Sequence, residues 1–206
     1  MDRELTPQEQ FWKGEFGNSY IDRNISDQLL ASNMAFFSKV LSRTGRVDSV
    51  IEFGCNVGMN LKALSALLPQ ANLHGVEIND LAVKKLRGSN PEFQITLGAI
   101  LDYEISTQQE LSLVCGVLIH INPNQLSQVY TKLFDASSKY ICIAEYYNPS
   151  PTSIAYRGHE DRLFKRDFAG EFLEKYPASK LIDYGFLYHR DRCFPQDDLT
   201  WFLIEK

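Results

Sequence analysis

The chain has 206 residues, a size most economically read as one sheet-based domain with additions. Its 44% apolar and 23% charged residues suffice to bury a substantial core, and its formal net charge of −5 argues against a grip on long nucleic acid through many phosphates, while small anionic ligands stay open. No apolar run nears the roughly 20 residues that span a bilayer and no secretory leader opens the chain, so a cytoplasmic protein without membrane or nucleic-acid partners is expected; oligomeric state is left open.

Residues 1–24 are polar with embedded aromatics (Phe11, Trp12, Phe16, Tyr20), interrupted by Gly14 and Gly17. Residues 26–43 carry helical periodicity, with Leu29, Leu30, Met34, Phe37, Val40 and Leu41 on one broad face and Ser26 or Asp27 as a cap. Strands are read at 49–53, 73–78, 93–98, from 111 onward and at 139–147, alternating with helices at 60–68, around 81–86 and at about 124–136. Several of these strands are continuous apolar runs, which implies a mostly parallel sheet covered on both faces. The closing segments 181–189 and 199–206 look antiparallel to each other. The scheme is a leading segment and helix over 1–45, then one domain over 46–206 carrying a lid at 146–175. Cys55, Cys115, Cys142 and Cys193 are far apart and form no CxxC pair, so neither a disulfide nor a metal site is expected.

The strand–turn–helix EFGCNVGMN is the strongest local signal. Gly54 and Gly58 permit a tight turn and a close approach of backbone to ligand, at the carboxyl edge where open α/β sheets bind ligands. Glu77 ends the second strand beside this turn and can accept both hydroxyls of a ribose. A dinucleotide site wants G-x-G-x-x-G. Here Asn56 replaces the second glycine and Met59 the third, and Glu52 would repel a pyrophosphate. An amino group and a sulfonium would be welcomed, so S-adenosylmethionine is favoured over NAD. A non-catalytic protein that retains the cofactor fold is the alternative from a different class.

The pattern E-F-G-C-N-V-G-x-N, then V-E-I-N, then C-G-V-L-I-H-I-N-P resembles the class I S-adenosylmethionine-dependent methyltransferases. FGNSYIDRN (16–24), AEYYNPSP (144–151), YRGHEDRLFKRDFAG (156–170) and FPQDDLTWFLIEK (194–206) resemble, more closely, the methylases associated with pseudaminic acid biosynthesis. The resemblance implies a Rossmann-like fold, with a mostly parallel seven-stranded sheet, an antiparallel terminal strand and helices on both faces. By position, Glu52, Gly54, Asn56 and Gly58 would line the methionine and sugar side of the cofactor. Glu77 and Ile78 would meet the ribose, Gly98, Ala99 and Ile100 the adenine, and Cys115, Gly116 and Val117 the reactive half. Asn60, Ala99 and Ser112 depart from the general pattern. Tyr20 and Arg23 either reach the cofactor carboxylate or, respectively, pack on the sheet and stay solvated.

Residues 146–168 leave the fifth strand on the ligand edge, where Pro149 and Pro151 forbid a helix. Tyr146, Tyr147 and Tyr156 offer flat faces with hydroxyls; Arg157, Arg162, Lys165 and Arg166, joined by Arg190, offer donors to carboxylate or phosphate. A lid over an anionic small molecule follows, in the closer family an acidic nonulosonic sugar or its nucleotide-activated form. The competing reading of 161–174 is an amphipathic helix that buries Leu163, Phe164, Phe168, Phe172 and Leu173. Methyl transfer is an in-line displacement to oxygen or nitrogen. His159, His189 and His120 are the candidate general bases.

Overall fold

The computed structural model describes residues 3–206, with Asp22 and Asn24 described in backbone only; the first two residues of the expected leading segment 1–45 lie outside the described residues. α1 (Pro7–Lys13) opens on a reciprocal cap in which Thr6 accepts from the Glu9 amide and Glu9 accepts from the Thr6 amide, with Pro7 at the first helical position. α2 (Glu15–Tyr20) and a 3₁₀ turn (Ile21–Asn24) lead to α3 (Asp27–Leu41), whose N-cap Ser26 accepts from the Leu29 amide.

The sheet is built from β1 (Ser49–Phe53), β2 (Asn72–Glu77), β3 (Gln94–Leu97), β4 (Gln109–Cys115), β5 (Ser137–Glu145), β8 (Lys180–Phe186) and β9 (Thr200–Glu205), in the order β3-β2-β1-β4-β5-β9-β8. Strands β1 to β5 run parallel, and β9 alone runs against its neighbours β5 and β8. Helices α4 (Met59–Leu67), α5 (Asp80–Ser89), α6 (Leu126–Ala136) and α7 (Phe168–Lys175) complete the layers. Side chains alternate across each strand, so neighbours feed separate cores. Val50 joins Phe37, Leu64 and Leu113 on one face; Ile51 and Phe53 join Val129, Leu133 and Phe172 on the other. Phe37, Phe53 and Phe172 are fully buried, each contributing about 2–3 kcal/mol of apolar burial. Both faces being covered explains why these strands read as unbroken apolar runs.

The strand order reverses between β1 and β4, which opens a crevice at the carboxyl edge. Two additions stand over it. One is α1–α2; the other is a hairpin of β6 (Thr152–Tyr156) and β7 (His159–Lys165) that follows β5. Arg157 and Gly158 turn this hairpin with φ of 50° and 84°, the paired positive angles that suit the twist of its strands. The amphipathic helix over 161–174 is therefore corrected. Leu163 and Phe164 lie in β7, and the helix begins only at Phe168, capped by Asp167. Among the described residues no helix is long and apolar enough to cross a membrane.

Candidate active site

The turn after β1 sets the floor of the crevice. Gly54 and Gly58 have φ of 78° and 75°, and Asn56 between them has φ of 47°. A Cβ on Gly54 would meet Val117 Cγ2 at 2.5 Å and one on Gly58 would meet Leu86 Cδ1 at 2.5 Å, so side chains are excluded twice over, by conformation and by space. Glu52 projects from β1 into the cavity with 1% of its surface exposed. Its Oε1 accepts from Asn60 Nδ2 (2.7 Å), while Oε2 is buried without a partner. Burial pushes this carboxyl up to about 8.

Asn60 is held in turn by a chain of amides. Gln196 Nε2 donates to Asn33 Oδ1 (2.8 Å), Asn33 Nδ2 donates to Asn60 Oδ1 (2.8 Å), and Asn60 donates to Glu52. All four side chains line the cavity. The chain fixes which Glu52 oxygen is spent, and the other is buried without a partner.

Glu77, at the end of β2, accepts the Asn56 amide on Oε2 and the Asn79 amide on Oε1, both at 2.8 Å, leaving further lone pairs on each oxygen. Burial raises its pKa. Asn79 caps α5 by accepting from Ala82 and donates to the Trp12 carbonyl (3.1 Å) and to Asn18 (2.9 Å), tying α1–α2 across the crevice. Gly17 makes that close approach possible, because a Cβ there would overlap the Trp12 carbonyl. Glu145, at the end of β5, accepts the amides of Val117 and Leu118 (2.9 Å each) and Ile119 (3.4 Å), which holds the loop after β4; burial raises its pKa to about 7.

The far end of the cavity is aromatic. His120 lies 4.6 Å from the Trp12 ring and 5.1 Å from Tyr156, centroid to centroid. Trp12 also meets Tyr20 edge-on at 5.1 Å, and its buried Nε1 has no acceptor. His120 Nδ1 donates to the Arg162 carbonyl, so the neutral ring keeps its lone pair on Nε2; burial lowers the pKa to about 4. The Tyr146 phenol is pushed up by burial and then by the charge of Asp197, with Tyr20 and Tyr156 also near.

The cavity wall gathers Tyr20, Glu52, Gly54, Asn56, Glu77, Ile78, Gly98, Ala99, Ile100, Cys115, Gly116, Val117, His120, Tyr146 and Tyr156. Other expected residues stand off it. Gly58 backs onto Leu86, and Arg23 is exposed. His159 packs on Phe11 at 5.0 Å, and His189 pairs with Asp198 at 2.8 Å on an exposed connection. Arg157 and Arg162 lie over the Tyr156 and Phe11 rings, and Lys165 lies over Tyr146. Arg166 pairs with Glu171 at 2.6 Å, and Tyr147 and Arg190 are exposed. None of these basic side chains is part of the cavity wall, and Arg162 Nε is buried without a partner. Trp12, Asn33, Glu145, Gln196 and Asp197 were missed. Glu145 had a signal, since it ends an apolar strand with a carboxylate as Glu52 and Glu77 do.

No family model and no curated protein matches the chain. Solved structures do. A S-adenosylmethionine-dependent methyltransferase of Leishmania major aligns over 97% of this chain and 81% of its own with a TM-score of 0.74 at 11% identity. The plantazolicin methyltransferase BpumL, solved with S-adenosylhomocysteine, aligns over 97% and 93% with a TM-score of 0.68 at 14% identity. This chain has the class I methyltransferase fold. Magnesium protoporphyrin IX methyltransferase from Synechocystis, solved with S-adenosylmethionine, aligns over the whole of both chains at 0.67 and 12% identity.

Proposed function

We propose that the protein binds S-adenosylmethionine and transfers its methyl group to a small molecule. The observation that carries this reading is the unpartnered Oε2 of Glu52, a buried carboxylate oxygen in a cavity at the switch point of this fold. It calls for a cationic donor and rejects a pyrophosphate. Glu52 would hold the cofactor's ammonium, Glu77 the ribose hydroxyls, and Ile78 and Ile100 the adenine faces. When bound, the cofactor supplies a methyl carbon activated by positive sulfur. The chain's own part is to fix the loop Cys115–Gly116–Val117 through Glu145 and to exclude water. In this reading α1–α3 form a cap and the β6–β7 hairpin a lid.

The narrower reading, an acidic nonulosonic sugar, is supported by the resemblance of the hairpin and tail motifs. Because no expected basic side chain lines the cavity, the acid group of such a sugar would stay at the rim. Calorimetric titration with S-adenosylhomocysteine and with NADH tests the cofactor. Binding of the former alone, weakened at least about tenfold by Glu77→Ala, is expected from the loss of paired hydrogen bonds to a carboxylate. Preference for NADH would end the proposal.

A further inference from the structure

The cofactor reading uses the β1–β4 side of the cavity and leaves the end beyond β4 and β5 for the acceptor. That end is walled by Trp12, Tyr20, His120, Tyr146 and Tyr156, with Asp197 exposed at its mouth. Among the described lining residues there is no lysine or arginine, whereas four are carboxylates: Glu9, Glu52, Glu77 and Asp197. Glu9 is paired with Arg3, and the nearest cations, Arg157 and Lys165, lie on the Tyr156 and Tyr146 rings and are not part of the wall, so an anion placed there would meet ring faces and, at the mouth, the like charge of Asp197. A nitrogen-centred group would meet π faces, a carboxylate at the entrance, and on His120 Nε2 an acceptor whose orientation is set by the Nδ1 bond to Arg162.

Resting on the methyl-donor reading, we propose that the acceptor is an amine, recognised by the aromatic wall and Asp197, and that its nitrogen is the atom methylated. The chemistry of the wall agrees. An alcohol needs a base to take its proton, and His120 has its proton affinity lowered by burial while Glu52 and Glu77 serve the cofactor. An amine that arrives as the ammonium first gives its proton to water at the mouth, beside Asp197, and the neutral form then needs no base. Its lone pair forms the N–C bond as the C–S bond breaks with its electrons staying on sulfur, and the ammonium product in turn gives its proton to water at the mouth. His120 then orients an N–H of the amine and acts as a positioning group.

The test is binding to the complex with S-adenosylhomocysteine, read by tryptophan fluorescence and calorimetry, with phenyltrimethylammonium and benzoate as probes of equal ring size. The cation is expected to bind about tenfold more tightly than the anion. Asp197→Asn is expected to reduce that ratio about two- to fivefold, and Tyr156→Leu to weaken the cation with little effect on S-adenosylhomocysteine. Equal binding, tighter binding of benzoate or no binding of the cation overturns the amine proposal. Failure of S-adenosylhomocysteine to bind the wild-type protein overturns instead the cofactor reading beneath it.

Discussion

Glu52→Gln is expected to stabilise the protein while costing it the cofactor. The folded carboxyl titrates at about 8 against an ordinary 4.5, because burial disfavours its charge. Below pH 4.5 the group is protonated in both folded and unfolded states and contributes no difference. As the pH rises from 4.5 towards 8 the unfolded chain ionises first, so stability falls through that window, by up to about 3 kcal/mol at pH 7. Glutamine keeps the oxygen that accepts from Asn60 and removes the ionisation. Thermal melts at pH 7 should therefore show the variant about 5–10 °C more stable, with the gain vanishing near pH 4.5. Ligand binding should move the other way. If only ionised Glu52 receives the ammonium, wild-type affinity for S-adenosylhomocysteine falls roughly 50-fold between pH 8 and pH 6, with close to one proton released per ligand at the lower pH. The variant should bind weakly and without that slope. A variant that melts lower at pH 7, or that keeps the wild-type pH dependence, would refute the assignment of the buried charge.

Glu145→Ala should leave three amides unpaired, two of them buried, and cost about 2–4 kcal/mol in urea unfolding, with faster hydrogen exchange at residues 117–119; unchanged exchange there would show that the carboxylate does not hold the loop. Gly17→Ala should push α1–α2 off the crevice by its clash with the Trp12 carbonyl, read as red-shifted tryptophan emission and weaker S-adenosylhomocysteine binding; normal emission and affinity would contradict this. His189→Ala should leave cofactor affinity and melting temperature unchanged, since its pair with Asp198 is exposed and outside the wall, and a loss of affinity would return it to the site.

The alternation of apolar strands with amphipathic helices made the sheet legible, down to the antiparallel last strand. That Gly54, Asn56, Glu52 and Glu77 gather at one cavity was legible for a local reason: they sit at strand ends, where chain direction alone delivers them to one edge. The aromatic end was not. Whether Arg162 or Lys165 faces a ligand depends on the pairing of β6 with β7, and the positive φ of Arg157 and Gly158 set that pairing. The charge run suggested an anion site, and nothing in it showed that Arg162 and Lys165 would lie over the Phe11 and Tyr146 rings. The amide chain brings Gln196 and Asn33 from two distant parts of the sequence to the Glu52–Asn60 motif, and no spacing rule connects the three. Trp12 carried a signal only as one aromatic among several in a polar segment.

The most direct measurement is a crystal structure of the protein with S-adenosylhomocysteine. The ligand's ammonium is expected within about 3 Å of Glu52 Oε2, its ribose hydroxyls on Glu77 and its sulfur beside the loop at Gly116, with the aromatic end of the cavity left open for the acceptor. A ligand bound away from Glu52 and Glu77, or with its adenine in the aromatic end, would contradict the account.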